Sequence, residues 1–179
     1  NLREPVNAEL IEQMTRKLQH RGPDDFGVWV EGGVGLGHQR LSIIDLTGGH
    51  QPMAVNDEAF WVTYNGEIYN YLELRSALAE NGHRFQTQCD TEVLLQMYAA
   101  HGQDCLKGLN GMFAFGLWDV REQRLFAARD RLGIKPFYYY WDGQLFAFAS
   151  EPKALLEHPR IAAEVDRDAL EDYLNLQYC

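Results

Sequence analysis

Apolar side chains recur at helical spacing in four stretches of the chain, and each stretch carries its own start or stop signal. The first follows Asn7, a good N-cap, with Glu9 in the first turn and Leu10, Ile11, Met14 and Leu18 on one face; Gly22-Pro23 ends it. The second follows Asn70, with Tyr71, Leu74 and Leu78 in the 3/4 rhythm and Gly82 just past its end. A third begins at Asp90 or Thr91, places Val93, Leu94, Met97 and Tyr98 inward and stops at Gly102. The last runs from Asp166 through Leu170, Tyr173 and Leu174.

Between them the pattern changes to short runs of aromatic and β-branched residues separated by glycine-containing turns, which predicts antiparallel strands. These runs are Gly27 to Val30, Val34 to His38, Phe60 to Tyr64, Met112 to Trp118, Leu125 to Ala128, Phe137 to Trp141 and Leu145 to Ala149. Asp142-Gly143 suits a tight hairpin between the last two. Met112-Phe113-Ala114-Phe115 is apolar on both alternations, so that strand is expected to be covered on both faces. Helices grouped between strand clusters predict a layered α+β fold and argue against a doubly wound parallel sheet.

Composition narrows the function classes. The 179 residues suffice for one well-buried domain. Sixteen Lys+Arg against twenty-six Asp+Glu give 16 − 26 = −10, which argues against nucleic acid and against an anionic membrane surface as partners. No apolar run reaches the roughly 20 residues of a membrane span, and no signal-peptide pattern opens the chain, so a cytoplasmic location is expected. The three cysteines, Cys89, Cys105 and Cys179, form no C-x-x-C pair and are expected to be reduced thiols. A chain starting at Asn1 and stopping at Tyr178-Cys179 after an amphipathic run looks cut at both ends.

Four constellations could carry chemistry. His20-Arg21-Gly22-Pro23-Asp24 crowds titratable groups at a helix end, where a plain C-cap with a basic last turn is the alternative. Tyr64-Asn65-Gly66-Glu67-Ile68-Tyr69-Asn70 breaks a strand at Asn-Gly; it is either an ordinary turn before an N-cap, or a place where the Gly66 N–H and the Asn65 amide converge as an oxyanion hole. Arg40 offers a planar fork for a carboxylate, with a surface salt bridge as the alternative. Asp90, in Cys89-Asp90-Thr91-Glu92, either caps its helix or presents its carboxylate to a ligand ammonium. Cys89 has no evident activating base and reads as a packed thiol. No catalytic triad spacing, H-E-x-x-H, P-loop or G-x-G-x-x-G occurs, and none of the six scattered histidines is assigned to a metal.

Taken together the chain resembles the class II (N-terminal-nucleophile) glutamine amidotransferases, in their asparagine synthetase branch. The match rests on His20 to Asp24, Arg40-Leu41-Ser42-Ile43-Ile44-Asp45, Tyr64 to Asn70, Asp90-Thr91-Glu92, Ala128-Arg129-Asp130-Arg131-Leu132-Gly133-Ile134-Lys135-Pro136 and Phe148-Ala149-Ser150-Glu151-Pro152-Lys153-Ala154-Leu155, in family order. The resemblance implies a four-layer αββα sandwich of antiparallel sheets, the Ntn-hydrolase type. It implies that residues 1–179 form one glutamine amidotransferase domain and that 161–179 lead into a synthetase domain using ATP and Mg²⁺, no cofactor being needed in the present domain. It leaves room for a homodimer. Asn65 and Gly66 would form the oxyanion hole, Arg40 would hold the α-carboxylate of glutamine, Asp90 its α-ammonium, and Glu67 would line the pocket. Clamping both charged ends of the amino acid fixes where its side-chain amide falls.

In that family the nucleophile is a cysteine at the mature N-terminus, with its own α-amine as base. Asn1 is no nucleophile, and Cys89, Cys105 and Cys179 carry no free α-amine. The sequence as it stands is therefore expected to lack its nucleophile and its first strand, leaving unpaired edges on that strand's neighbours, and to be inactive. Two rival readings stay open: a nucleophile-less domain that binds an amino acid or a partner, and an amidotransferase acting on a surface polysaccharide or peptide-like precursor.

Overall fold

A computed structural model describes residues 5–41 and 48–177. Ser42, Ile43, Ile44 and Asp45 of the Arg40 motif lie outside the described residues, as do Asn1 and the Tyr178-Cys179 end.

Among the described residues eight strands, all antiparallel in their pairings, form three sheets. Strands β1 (Asp25–Glu31) and β2 (Val34–Arg40) make one hairpin. A central sheet runs in the order β3-β4-β5-β6, from β3 (Met53–Val55), β4 (Phe60–Ile68), β5 (Gly111–Asp119) and β6 (Arg124–Arg129). A second hairpin joins β7 (Tyr138–Trp141) to β8 (Phe146–Ala149).

Alternation along β4 and β5 explains how these stack. Val62, Tyr64 and Ile68, with Phe113, Phe115 and Leu117, face the helices α2 (Tyr71–Glu80) and α3 (Asp90–His101), whose Leu78, Val93, Leu94 and Met97 complete the main core. The opposite face meets the two hairpins: Trp29 of β1 stacks on Trp61 of β4 with ring centres 4.7 Å apart, and the Phe148 ring packs against Gly116 of β5. Helices α1 (Ala8–Arg16) and α4 (Pro152–Leu155) cover the hairpins from outside. The order helix, central sheet, hairpin sheet, helix is the four-layer αββα arrangement. The strand Met112 to Trp118 is covered on both faces, as its apolar alternation predicts.

Several local expectations need correction. The strand expected to end at Tyr64 continues to Ile68, because Asn65, Gly66 and Glu67 stay in register with Ala114, Phe113 and Met112 of β5. Gly66 is there for space and not for a turn: a Cβ would sit 2.8 Å from the Phe113 Cα. Asn70 does not cap α2; its amide bridges Gly108 O and Asn110 N–H instead. The first helix stops at Arg16, with a 3₁₀ turn over Gln19–Arg21. The hairpin turn is tight but sits one residue on from Asp142-Gly143: Asp142 N–H donates to Leu145 O across Gly143-Gln144, Gly143 takes a positive φ of 88°, and Asp142 Oδ1 accepts from Gln144 and Leu145 N–H. The last helix, α5 (Arg167–Leu176), forms from its Asp166 cap, with Leu170, Tyr173 and Leu174 exposed.

Candidate active site

Strands β2 and β8 each pair on one side only among the described residues, and residues of both line a cleft of about 1250 Å³. Leu36 and His38 line one wall and Ala147 and Phe148 the other. Thr63 and Asn65 of β4 contribute to its floor, and Ile11 and Ala154 of the outer helices to its cover.

The floor is set by β4. In an antiparallel strand successive N–H groups point to alternate edges. Tyr69 N–H donates toward β5, to Asn110 O, so the even-numbered N–H groups point the other way. On that edge β3 pairs only as far as Met53 opposite Val62. Beyond it, Tyr64 N–H donates to Gln51 Oε1 (2.7 Å) and Ile68 N–H to Asp90 Oδ2 (3.0 Å). The Gly66 N–H between them has no partner among the described residues. Asn65 and Glu67, on the hairpin-facing side of the strand, line the same cleft.

Asp90 is nearly inaccessible, and its Oδ2 also accepts from the Tyr64 hydroxyl at 2.7 Å. The expectation that it simply caps its helix fails, since both bonds go to β4. Burial, and then the Asp90 carboxylate, hold the Tyr64 phenol well above its usual range, so it remains a donor. Arg40, at the end of β2, is buried with its guanidinium against Gly49, where a Cβ would lie 2.6 Å from Cζ. His38 donates from Nδ1 to the Thr63 hydroxyl (3.2 Å), because that hydroxyl itself donates to Gly37 O (3.0 Å). Burial, and then the Arg40 charge, push the imidazole down to about 4, leaving it neutral.

Arg40, Asn65, Gly66, Glu67 and Asp90 thus share one cleft. Of the His20 to Asp24 constellation only Arg21 also lines the cleft. His20 and Arg21 reach Glu151 Oε1 at 3.1 and 3.0 Å, and Lys153 reaches Oε2 at 2.9 Å, tying the end of the first helical stretch to α4. In the Ala128 to Pro136 run Lys135 and Pro136 line the cleft, while Asp130 holds the loop by accepting from the N–H groups of Phe113, Leu132, Ile134 and Lys135. Sequence reasoning missed Gln51 and Gly49, which sit in a loop without periodicity; the one local signal is a Gly-rich turn running into Pro52.

Cys89 is buried, and burial raises its thiol; the Cys105 thiol is pushed up to about 11 by burial. Neither has the lowered pKa of a nucleophile. Among the described residues no group of His, Cys, Asp and Glu could hold a metal, and no helix is long and apolar enough to cross a membrane.

An antiparallel four-layer fold whose cleft gathers the Gly66 N–H, Arg40 and Asp90 fits a glutamine amidotransferase domain. Residues 2–179 match the model of the glutamine amidotransferase domain, and the chain belongs to that family. A glutamine-hydrolysing asparagine synthetase 3 of Bacillus subtilis is 48% identical over 170 residues, covering 94% of this chain and 28% of the relative. A putative glutamine-hydrolysing asparagine synthetase 2 of Methanocaldococcus jannaschii is 42% identical over 194 residues, 97% of this chain and 37% of the relative. The chain therefore spans 28% to 37% of the length of these relatives. Among solved structures, the glutamine phosphoribosylpyrophosphate amidotransferase from B. subtilis shares the fold, with a TM-score of 0.72 at 23% identity over 85% of this chain and 41% of that one.

Proposed function

We propose that this domain hydrolyses glutamine to glutamate and ammonia for an ATP-dependent amide transfer of the asparagine synthetase type. The observation that carries the reading is the open Gly66 N–H, held between two fixed neighbours and beside Asn65 on the floor of the cleft. Arg40 binds the α-carboxylate of glutamine, Asp90 its α-ammonium, and Glu67 lines the pocket. The side-chain amide then lies over Gly66 and Asn65, two neutral donors suited to a charge that appears only in the transition state.

The nucleophile is a cysteine at the start of a strand seated between β2 and β8, whose open edges and apolar walls suit such a guest. Its α-amine takes the thiol proton and the thiolate attacks the amide carbon. The tetrahedral oxyanion rests on Gly66 and Asn65, and its collapse breaks the C–N bond as the α-ammonium returns a proton to the leaving ammonia. Water then cleaves the thioester to glutamate and regenerates the thiol. Residues 1–179 without that strand are inactive in this reading. A synthetase domain beyond residues 161–179, using ATP and Mg²⁺, receives the ammonia, and the asparagine synthetase relatives favour aspartate as acceptor. The acidic charge and the lack of a membrane-crossing helix among the described residues support a cytoplasmic enzyme.

The test uses the protein translated from its native start to its native end. With aspartate and Mg-ATP, glutamine should yield asparagine and glutamate in equal amounts. Amide formation from free ammonia but not from glutamine would overturn the reading.

A further inference from the structure

Gln51 is nearly inaccessible and lies in the loop just before β3. Its side chain makes three bonds: Oε1 accepts from Tyr64 N–H at 2.7 Å, while Nε2 donates to Tyr64 O at 3.2 Å and to the Thr91 hydroxyl at 3.4 Å. The first two are the pair that an opposing strand residue would supply from its backbone. β3 provides that ladder at Val62 and no further, and the Gln51 amide supplies one more rung at Tyr64.

A side chain can end a ladder where a strand cannot. Had a strand continued along this edge, its next carbonyl would have captured the Gly66 N–H; the Gln51 amide satisfies Tyr64 and stops. The third bond reaches the first turn of α3, next to Asp90. One side chain therefore fixes the peptide that precedes Asn65 and Gly66 and links it to the helix end that carries Asp90.

We infer that Gln51 is a positioning residue that keeps the oxyanion donors open and sets their place relative to the ammonium anchor. The inference rests on the roles given to Asn65, Gly66 and Asp90 under Proposed function. Gln51 touches no reacting atom in this account, and its effect passes through β4.

A double-mutant cycle in the intact protein tests it, with Q51M, N65A and Q51M/N65A assayed for glutamine hydrolysis. Rates are expressed per site titrated by an electrophilic glutamine analogue, so that loss of folded protein does not enter. Q51M alone should lower kcat about 100-fold, the scale of an ångström-sized misplacement. In the N65A background it should lower kcat less than about 5-fold, because the two act on the same oxyanion interaction. An equal fall in both backgrounds, or none in either, overturns the role of Gln51 and leaves the site reading standing. If N65A alone leaves kcat unchanged, the site reading fails and the inference with it. Q51E, which keeps the acceptor for Tyr64 N–H, replaces Q51M in the cycle if Q51M does not fold. If neither variant folds, Gln51 is a folding residue and the inference is overturned.

Discussion

Asp90 at the first turn of α3 accepts hydrogen bonds from both the hydroxyl of Tyr64 and the N–H of Ile68 on β4, at 2.7 and 3.0 Å, through a single carboxylate oxygen. The bonds fix the carboxylate from the strand side and make Asp90 a link between helix and sheet.

Asp90→Asn keeps an acceptor for β4 but removes the charge. Charge-assisted hydrogen bonds contribute about 1.5–3 kcal/mol, so KM for glutamine should rise roughly 10- to 100-fold while the thermal midpoint moves by only a few degrees. Steady-state glutaminase kinetics and a thermal melt on the intact protein check both halves.

Gly49→Ala places a methyl group against the Arg40 guanidinium. The expected result is a raised KM for glutamine with kcat nearly kept, since Arg40 is displaced while the floor of the cleft is untouched. Gly66→Ala acts differently, forcing β4 from Phe113 on β5; overpacking of this kind costs about 1–3 kcal/mol, measurable by urea denaturation.

His38 gives a pH signature. Its folded pKa of about 4 lies below the ordinary 6.5, so the unfolded chain binds the proton more readily. The contribution to stability is complete above about pH 6.5 and declines as pH falls toward 4, by at most about 3 kcal/mol. Asp130 and Glu151, both held near 2, lose their contributions only at lower pH, from the ordinary carboxylate range downward. For Asp130 the bonds from four backbone N–H groups outweigh the opposing effect of desolvation; for Glu151 the Lys153 bond leads. The stability difference between His38→Gln and the parent, followed by urea unfolding from pH 4 to 7, should change across that window.

Treatment of the intact protein with a chloroketone analogue of glutamine should alkylate a cysteine other than Cys89 and Cys105. Both thiols are buried with raised pKa values, and digestion followed by mass spectrometry locates the adduct.

Much of this was legible in the sequence because it is local. The periodicity of Val93, Leu94 and Met97 predicts α3, and the two-sided apolar run from Met112 predicts a covered β5; both form. Arg40, Asn65, Gly66 and Asp90 each had a structural alternative when read singly, the resemblance implied their places around glutamine, and one cleft gathers them. What depended on tertiary partners was not legible. Asn-Gly usually turns a chain, yet here pairing with Ala114 and Phe113 holds it in a strand. The His20 and Glu151 motifs were ambiguous apart and become a single ion cluster once α4 packs near the end of the first helical stretch. Gln51 carries no pattern at all, because its meaning comes from where β3 stops.

The proposed binding of the amino-acid end of glutamine by Arg40, with the oxyanion stabilised by Asn65 and Gly66, is decided by initial-rate glutamine hydrolysis in the intact protein and its Arg40→Ala and Asn65→Ala variants. Arg40→Ala should raise KM about 100-fold or more with kcat falling far less, and Asn65→Ala should lower kcat about 100- to 1000-fold with KM nearly unchanged. Variants that leave both constants at the parent's values would contradict it.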